Sequence, residues 1–236
     1  MRLDFDIADM PIIEVVCNCI SCLPSFPTDS AVGEFELITS YLDPVLRPLL
    51  HDPDEMRLLR WTNRVCTELS NDFSRRPDGT LTLREQFHGA SALGFCEVKP
   101  ADSGQNAELC FTDLLRLALF SKSGIDKGEI QGMMVVHAIG PAVTFYVMEL
   151  AGPGLYPLVE LATITMPLTI DDLSPFLMRL SLLKQVHVAY HRHSKHLDQK
   201  ARSKFDKWRK SSMTAEELQD VINITASKDK APNIHV

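Results

Sequence analysis

The chain has 236 residues, of which 45% are hydrophobic and 23% are charged, and its net charge is −7. This composition is ordinary for a globular protein of one or two domains that buries a substantial core. The acidic total excludes a uniformly basic nucleic-acid binder. Its distribution is uneven, because eight Lys or Arg stand against two Asp in residues 191–210, which therefore carry a net charge of +6.

The beginning of the chain predicts neither a secretory signal nor a membrane anchor. Residues 1–6 lack the basic region of a signal peptide, and the apolar run after them is interrupted by Glu14. No stretch approaches the roughly 18 uninterrupted apolar residues that a spanning helix needs. We therefore expect an intracellular protein of the nucleus or cytoplasm, with no membrane partner and with its six cysteines reduced.

Residues 1–30 form a predicted N-terminal leader that contains the only cysteine cluster, Cys17-x-Cys19-x-x-Cys22. A structural zinc site usually takes four ligands in two pairs, and no second pair exists in the sequence. Two interpretations stay open. The cluster is either a zinc site or, as we favour, three small buried side chains in an apolar segment.

The predicted main domain, residues 31–190, opens with a helix that Asp29 or Ser30 caps. Glu34 borders the apolar face of this helix, roughly 60° from its centre, whereas a residue on the opposite face would point to solvent. A helix-start charge favoured by the macrodipole is the simpler explanation of Glu34, and a site role is the alternative. The predicted buried face consists of Phe35, Ile38, Leu42, Val45 and Leu49.

Two short segments concentrate the residues that can do chemistry, Arg76-Pro77-Asp78 and Glu97-Val98-Lys99. Alternate residues of a strand share a face, so Glu97 and Lys99 lie about 7 Å apart on one face at roughly 3.3 Å per residue. On a neighbouring antiparallel strand, Asp78 approaches Glu97 at about 5 Å between β-carbons. Two carboxylates this close repel unless a cation lies between them, and a hard divalent ion suits such a pair.

Pro77-Asp78 followed by Glu97-x-Lys99 resembles the PD-(D/E)xK motif of the restriction-endonuclease-like nuclease superfamily. The resemblance implies a restriction-endonuclease-like core, a central β-sheet flanked by helices, that uses Mg²⁺ (or Mn²⁺). By this resemblance Asp78 and Glu97 are metal ligands, Lys99 assists the attacking water, and Glu34 adds a ligand from the preceding helix. Asp78, Glu97 and Lys99 are then the catalytic residues.

A wider stretch, residues 76–167, resembles a group of uncharacterised fungal proteins through RRPDG, GFCEVKP, DLLRLALFSKSGID, VTFYVMEL and GLYPLVELATITMP. This second resemblance brings no established activity with it. The motif itself also has a plainer interpretation, since Glu-x-Lys on a strand is commonly a solvated pair worth 0 to about 1 kcal/mol, and Pro-Asp-Gly is an ordinary turn signal. A catalytically inactive nuclease fold that serves as a binding module therefore stays open beside a nuclease.

The other elements complete an α+β (mixed α/β) domain. The patterns predict a first strand near residues 58–63, the motif strand at 93–99, and a helix at 112–123. Strands are predicted at 133–139, 143–150 and 155–165. His137 is then a core or sheet-face histidine, and a site role is the alternative. A helix is predicted from Asp171 or Ser174 to about Tyr190.

Nucleic acid, DNA rather than RNA, is the expected partner, and the resemblance also allows a homodimer. Residues 191–236 form a predicted basic helical tail, with a last short helix at 214–224 and disorder from Ser227. A solvated surface is the alternative for each basic residue. The predicted contacts to nucleic acid are Arg76, Arg116, Lys122, Lys200, Arg202, Lys204, Lys207, Arg209 and Lys210.

Overall fold

The computed structural model describes residues 9–28, 30–62, 76–85, 89–128, 130–212 and 217. The helices are α1 Met10–Cys22, α2 Glu34–Glu36, α3 Asp43–Leu50, α4 Ala107–Gly128, α5 Leu173–Leu177, α6 Leu180–His193 and α7 Gln199–Trp208. The strands are β1 Arg57–Trp61, β2 Gly79–Glu85, β3 Gly89–Lys99, β4 Gly132–Ile139, β5 Ala142–Glu149 and β6 Leu158–Thr165.

The six strands form one mixed sheet in the order β1-β2-β3-β4-β5-β6. Neighbouring strands are antiparallel except β3 and β4, which are parallel and are joined by α4. A parallel pair requires such a crossover, whereas antiparallel strands can be joined by tight turns. The predicted mixed α+β domain, with a central sheet flanked by helices, is confirmed at this level.

Helices cover both faces of the sheet centre. Phe95 on β3 meets Phe120 on α4, with ring centroids 5.6 Å apart. Cys96 points to the other face, towards Tyr190 of α6. Strand β4 is consequently buried on both sides, and its near-continuous apolar sequence follows from that position.

The helix before the motif buries Ile38, Leu42, Val45 and Leu49 as predicted, but it differs from the prediction at Phe35 and in its cap. Phe35 was expected in the core, but it is 79% exposed, and Leu37 at 2% takes the buried place. The cause is a π-helical segment, Leu37–Leu42, between α2 and α3, because its wider turns shift a projection made with 3.6 residues per turn. The cap is Gly33, not Ser30, and Asp29 lies outside the described residues.

The N-terminal residues contribute to the core of the main domain. Val15 and Cys19 of α1 are buried in the same hydrophobic cluster as the sheet and α3, and Asn18 donates to the Pro44 carbonyl at 3.1 Å. The prediction that all three clustered cysteines are buried is wrong for Cys17 and Cys22, which are exposed. The amphipathic helix buries only the residues that face α3.

The C-terminal part contains the predicted basic helix, α7, whose Phe205 is buried. The Gly154 backbone NH donates to the Trp208 carbonyl at 2.7 Å and joins the end of α7 to the turn after β5.

The predicted helix at 171–190 is divided into α5 and α6. The predicted helix at 214–224 lies outside the described residues except for position 217, and the chain from Ser227 lies wholly outside them. Within the described ranges no helix is long and apolar enough to cross a membrane.

Candidate active site

Strands β2 and β3 bring the three motif residues together. Gly79 pairs with Cys96, which sets Asp78 opposite Glu97. Asp78 Oδ2 accepts a hydrogen bond from the Val98 backbone NH at 2.8 Å, and Lys99 Nζ donates to Glu97 Oε1 at 2.8 Å. Asp78 and Glu97 are only 8% and 2% exposed, so this is not the solvated strand face of the plainer interpretation.

Helix α4 adds two residues to this cluster. Arg116 Nη1 lies 2.6 Å from Asp113 Oδ1, and Arg116 Nη2 lies 3.2 Å from Glu97 Oε1. Lys99 Nζ lies 3.6 Å from Asp113 Oδ2. The predicted site did not include Asp113, although its spacing of three from Arg116 on a helix with an apolar face could have indicated it.

The cluster holds more negative than positive charge. Asp78, Glu97 and Asp113 stand against Lys99 and Arg116, all of them largely buried. Burial raises the pKa of the Glu97 carboxyl, and the charge of Asp78 raises it further. Three carboxylates against two cations leave one negative charge, which a proton or a further cation would neutralise.

The pKa values of Asp78 and Lys99 are both raised, but for different reasons. Burial raises the pKa of the Asp78 carboxyl, against the hydrogen bond from Val98, and Glu34 adds to the increase. Burial lowers the pKa of the Lys99 ammonium, but its hydrogen bond to Glu97 and the surrounding carboxylates outweigh burial and raise the pKa overall. Lys99 is therefore a protonated cation at neutral pH.

The donor set fits a hard divalent cation. Asp78 and Glu97 are oxygen ligands of the kind that Mg²⁺ prefers, and the cluster holds three carboxylates against two cations. Among the residues that the structure describes, no group of three or more His, Cys, Asp or Glu side chains could hold a metal by itself. Mg²⁺ commonly binds through one or two carboxylates and keeps several waters, so the pair is compatible with it.

Glu34 stands at the edge of this cluster. It is the first residue of α2, directly after the Gly33 cap, and it is half-buried. Its charge acts on Asp78, but no hydrogen bond or ion pair joins it to the other carboxylates in the described structure. Its predicted role as an additional metal ligand stays a prediction.

His137 lies beside Glu97 on the parallel strand β4, as its register partner. The side chain is 6% exposed and Nε2 has no hydrogen-bond partner in the described structure. Burial lowers the pKa of the imidazole, Asp113 opposes that change and Lys99 reinforces it. These contributions place His137 close to the charged cluster, whereas the sequence favoured a core or sheet-face histidine over a site role.

A cavity of about 480 Å³ lies beyond the end of β3, and no charged residue of the cluster lines it. Gly33 and Pro100 line it, and they adjoin Glu34 and Lys99 in the chain. Leu37 contributes an apolar wall. The cavity therefore reaches the residue after β3 but not the carboxylates of the cluster.

The predicted nucleic-acid contacts occupy different surroundings. Arg76 is exposed next to the motif, whereas Arg116 is turned inward to Glu97 and Asp113. Lys122 is held by Asp126 at 2.7 Å and by the Lys210 carbonyl at 2.6 Å. In the tail the exposed residues are Lys200, Lys204, Lys207 and Lys210, and the partly buried ones are Arg202 and Arg209.

Comparisons with models of protein families, with curated proteins and with solved structures each find no match to this chain.

Proposed function

We propose that this protein is a metal-dependent nuclease with a restriction-endonuclease-like core, and that it hydrolyses phosphodiester bonds of nucleic acid. One observation carries the proposal. Asp78 and Glu97 are buried opposite each other on adjacent strands, and burial raises the pKa of both carboxyls, so a positive charge between them would stabilise the ionised pair. A divalent cation supplies that charge.

The arrangement of elements supports the same assignment. The proline-aspartate pair stands at the start of β2, Glu-x-Lys ends β3, and α4 packs behind these strands, as the motif resemblance implies. Glu34 belongs to the helix before the aspartate. The fold alone does not establish the activity, so the proposal depends on the chemistry of the cluster.

In the proposed reaction Asp78 and Glu97 would hold Mg²⁺ or Mn²⁺, and the ion would supply Lewis-acid polarisation of the phosphate and a water of lowered pKa. Lys99, held as a cation by Glu97, stabilises negative charge on the phosphate instead of accepting a proton. Asp113 positions both Lys99 and Arg116 through its ion pairs.

The basic tail is the proposed surface for the nucleic-acid backbone. Its end is fastened to α4 by Lys122, six residues after Arg116, which is about 9 Å along the helix axis. Lys200, Lys204 and Lys207 are exposed on α7. Basic side chains on one helix neutralise phosphates without reading the sequence, and DNA is the proposed substrate.

A second candidate function, an inactive binding module with this fold, rests on a specific contact. Arg116 and Lys99 already neutralise Glu97 within the protein, so Glu97 can serve as a structural ion-pair partner alone. In that case the tail would bind nucleic acid and no cleavage would follow.

Cleavage of labelled single- and double-stranded DNA and RNA, with Mg²⁺ or Mn²⁺, tests the proposal. We expect the wild type to cut at least one substrate, EDTA to abolish cleavage, and Lys99→Ala and Asp78→Asn to lose at least about 100-fold in kcat. Lys127→Ala and Asp171→Asn, at exposed positions, remove the same groups elsewhere and should stay active. A folded wild type that cuts nothing would favour the binding module.

A further inference from the structure

Strand β4 contains one polar side chain, His137. The other residues of Gly132–Ile139 are glycine or apolar, and all but the last residue are buried. An aliphatic residue would suit this position better, because burying a polar group without a partner costs about 1–3 kcal/mol. The fold therefore does not explain the histidine.

The ring nitrogen that lacks a partner belongs to the charged cluster. His137 Nε2 is buried without a hydrogen bond in the described structure, and so is Asp113 Oδ2. Both side chains stand next to Glu97, His137 as its register partner and Asp113 through Arg116 and Lys99. Buried polar atoms that lack hydrogen-bond partners and lie close together indicate a bound polar molecule such as water.

No other nitrogen of the cluster offers a lone pair. The Lys99 ammonium and the Arg116 guanidinium are cations that carry only donors, and both are paired with Glu97 and Asp113. A water molecule in the cluster can donate to the carboxylates, to which Lys99 and Arg116 also donate. Within the cluster, an imidazole is the one uncharged group that can accept a hydrogen bond from that water.

A polar row leads from His137 towards solvent. The register partner of His137 on β5 is Thr144, and that of Thr144 on β6 is Thr163. The two threonine hydroxyls lie 2.9 Å apart, and Thr163 is exposed. The face of the sheet that carries Glu97 is thus polar from the cluster to its edge.

We propose that His137 is a further catalytic residue of this site, whose Nε2 accepts a hydrogen bond from the water that attacks the phosphorus and so orients it. The water oxygen bonds to phosphorus, the bond from phosphorus to the leaving oxygen breaks, and the proton that the water loses reaches the leaving oxygen through solvent. This inference rests on the proposed nuclease function. It assigns to His137 the placement of the nucleophile, and leaves to Lys99 the stabilisation of charge on the phosphate. An oriented nucleophile contributes through geometry, so its loss lowers kcat more than it raises KM.

Three substitutions of His137 separate this role from a structural one. His137→Leu removes the nitrogen and fills the apolar surroundings. His137→Gln offers an amide near the position of Nε2, and His137→Asn offers one near Nδ1. The measurements are kcat and KM on the substrate that the wild type cuts, Tm, and Mn²⁺ affinity by electron paramagnetic resonance.

We expect His137→Leu to lower kcat about 100-fold, with KM within about twofold, an undiminished Tm and unchanged Mn²⁺ affinity. His137→Gln should recover at least about tenfold of the loss, and His137→Asn should not. A His137→Leu protein with kcat within about threefold of the wild type would overturn the inference alone. Loss of folding or Mn²⁺ binding in both His137→Leu and His137→Gln would also overturn it, and a wild type without activity would overturn the nuclease proposal as well.

Discussion

The carboxylate of Asp78 accepts a hydrogen bond from the backbone NH of Val98 at 2.8 Å. This bond joins the residue before β2 to β3 and fixes the carboxylate beside the end of β3 that carries Glu97 and Lys99. A backbone donor cannot move away, so Asp78 stays buried near Glu97 at the cost of mutual repulsion. That repulsion should be measurable in the metal-free protein.

We expect part of the free energy of unfolding of the EDTA-treated protein to be lost as the pH rises from about 4. Asp78 and Glu97 have raised pKa values, so above that pH the folded state binds more protons than the unfolded state, and deprotonation costs stability. Their contribution is fully present at lower pH and is lost as pH rises through the raised pKa values. Urea denaturation at pH 4 to 8 measures it.

Asp78→Asn provides the comparison for this pH dependence. The amide oxygen keeps the hydrogen bond from Val98 but carries no charge, so the variant should show a shallower decrease than the wild type. Saturating Mg²⁺ should raise the stability of the wild type at pH 7 and leave that of the variant nearly unchanged. Parallel pH profiles of the two proteins would contradict the assigned repulsion.

Arg116 occupies the oxygens of Glu97 that a metal would use. We expect Arg116→Met to bind Mn²⁺ about tenfold more tightly, because one competing cation is removed from Glu97. The same change should lower metal-free stability by about 2 kcal/mol, since it leaves Asp113 with fewer partners. Electron paramagnetic resonance and urea denaturation measure the two effects.

Arg47→Met is the matched control, because Arg47 forms a similar two-point pair with Asp43 away from the cluster. It should leave Mn²⁺ affinity unchanged. If Arg116→Met weakened Mn²⁺ binding, Arg116 would be a support of the metal site and not a competitor.

The sequence predicts local relationships well in this protein. A period of two was enough to place Glu97 and Lys99 on one face, and turn residues were enough to separate β4, β5 and β6. The sequence could not show that Arg116 turns inward, because an arginine on a helix pattern is equally compatible with solvent. Asp113 was missed although its spacing of three from Arg116 was visible in the sequence, because that spacing does not show whether the pair is buried. The exposure of Phe35 depended on a π-helical segment, for which no sequence pattern was available.

The basic helix α7 should determine affinity for nucleic acid but not the chemistry. We expect Lys200→Gln with Lys207→Gln to weaken binding of a labelled duplex, and to reduce the slope of log affinity against log salt by about 1.8, because two phosphate contacts are lost. Fluorescence anisotropy at several salt concentrations measures the slope. Arg60→Gln with Arg84→Gln removes two exposed charges from β1 and β2 and should change the slope little. Equal slopes for the two double variants would exclude α7 as the binding surface.

The register between β3 and β4 supports both the cluster and the role of His137, and Gly94 tests it. A β-carbon at Gly94 would lie 2.2 Å from the Met134 carbonyl oxygen and 2.9 Å from Leu81 Cδ1. Because the first of these atoms is backbone, the strands themselves must separate. We expect Gly94→Ala to lower the free energy of unfolding by about 3 kcal/mol.

Gly33→Ala is the control, since a β-carbon there meets nothing within 4 Å, and its effect should stay within about 0.5 kcal/mol. Urea denaturation followed by circular dichroism compares the two variants. If Gly94→Ala were as stable as Gly33→Ala, Gly94 and Met134 would not be partners. Glu97 and His137, three residues further along the same parallel pair, would then not be adjacent either, and the role of His137 would lose its geometric basis.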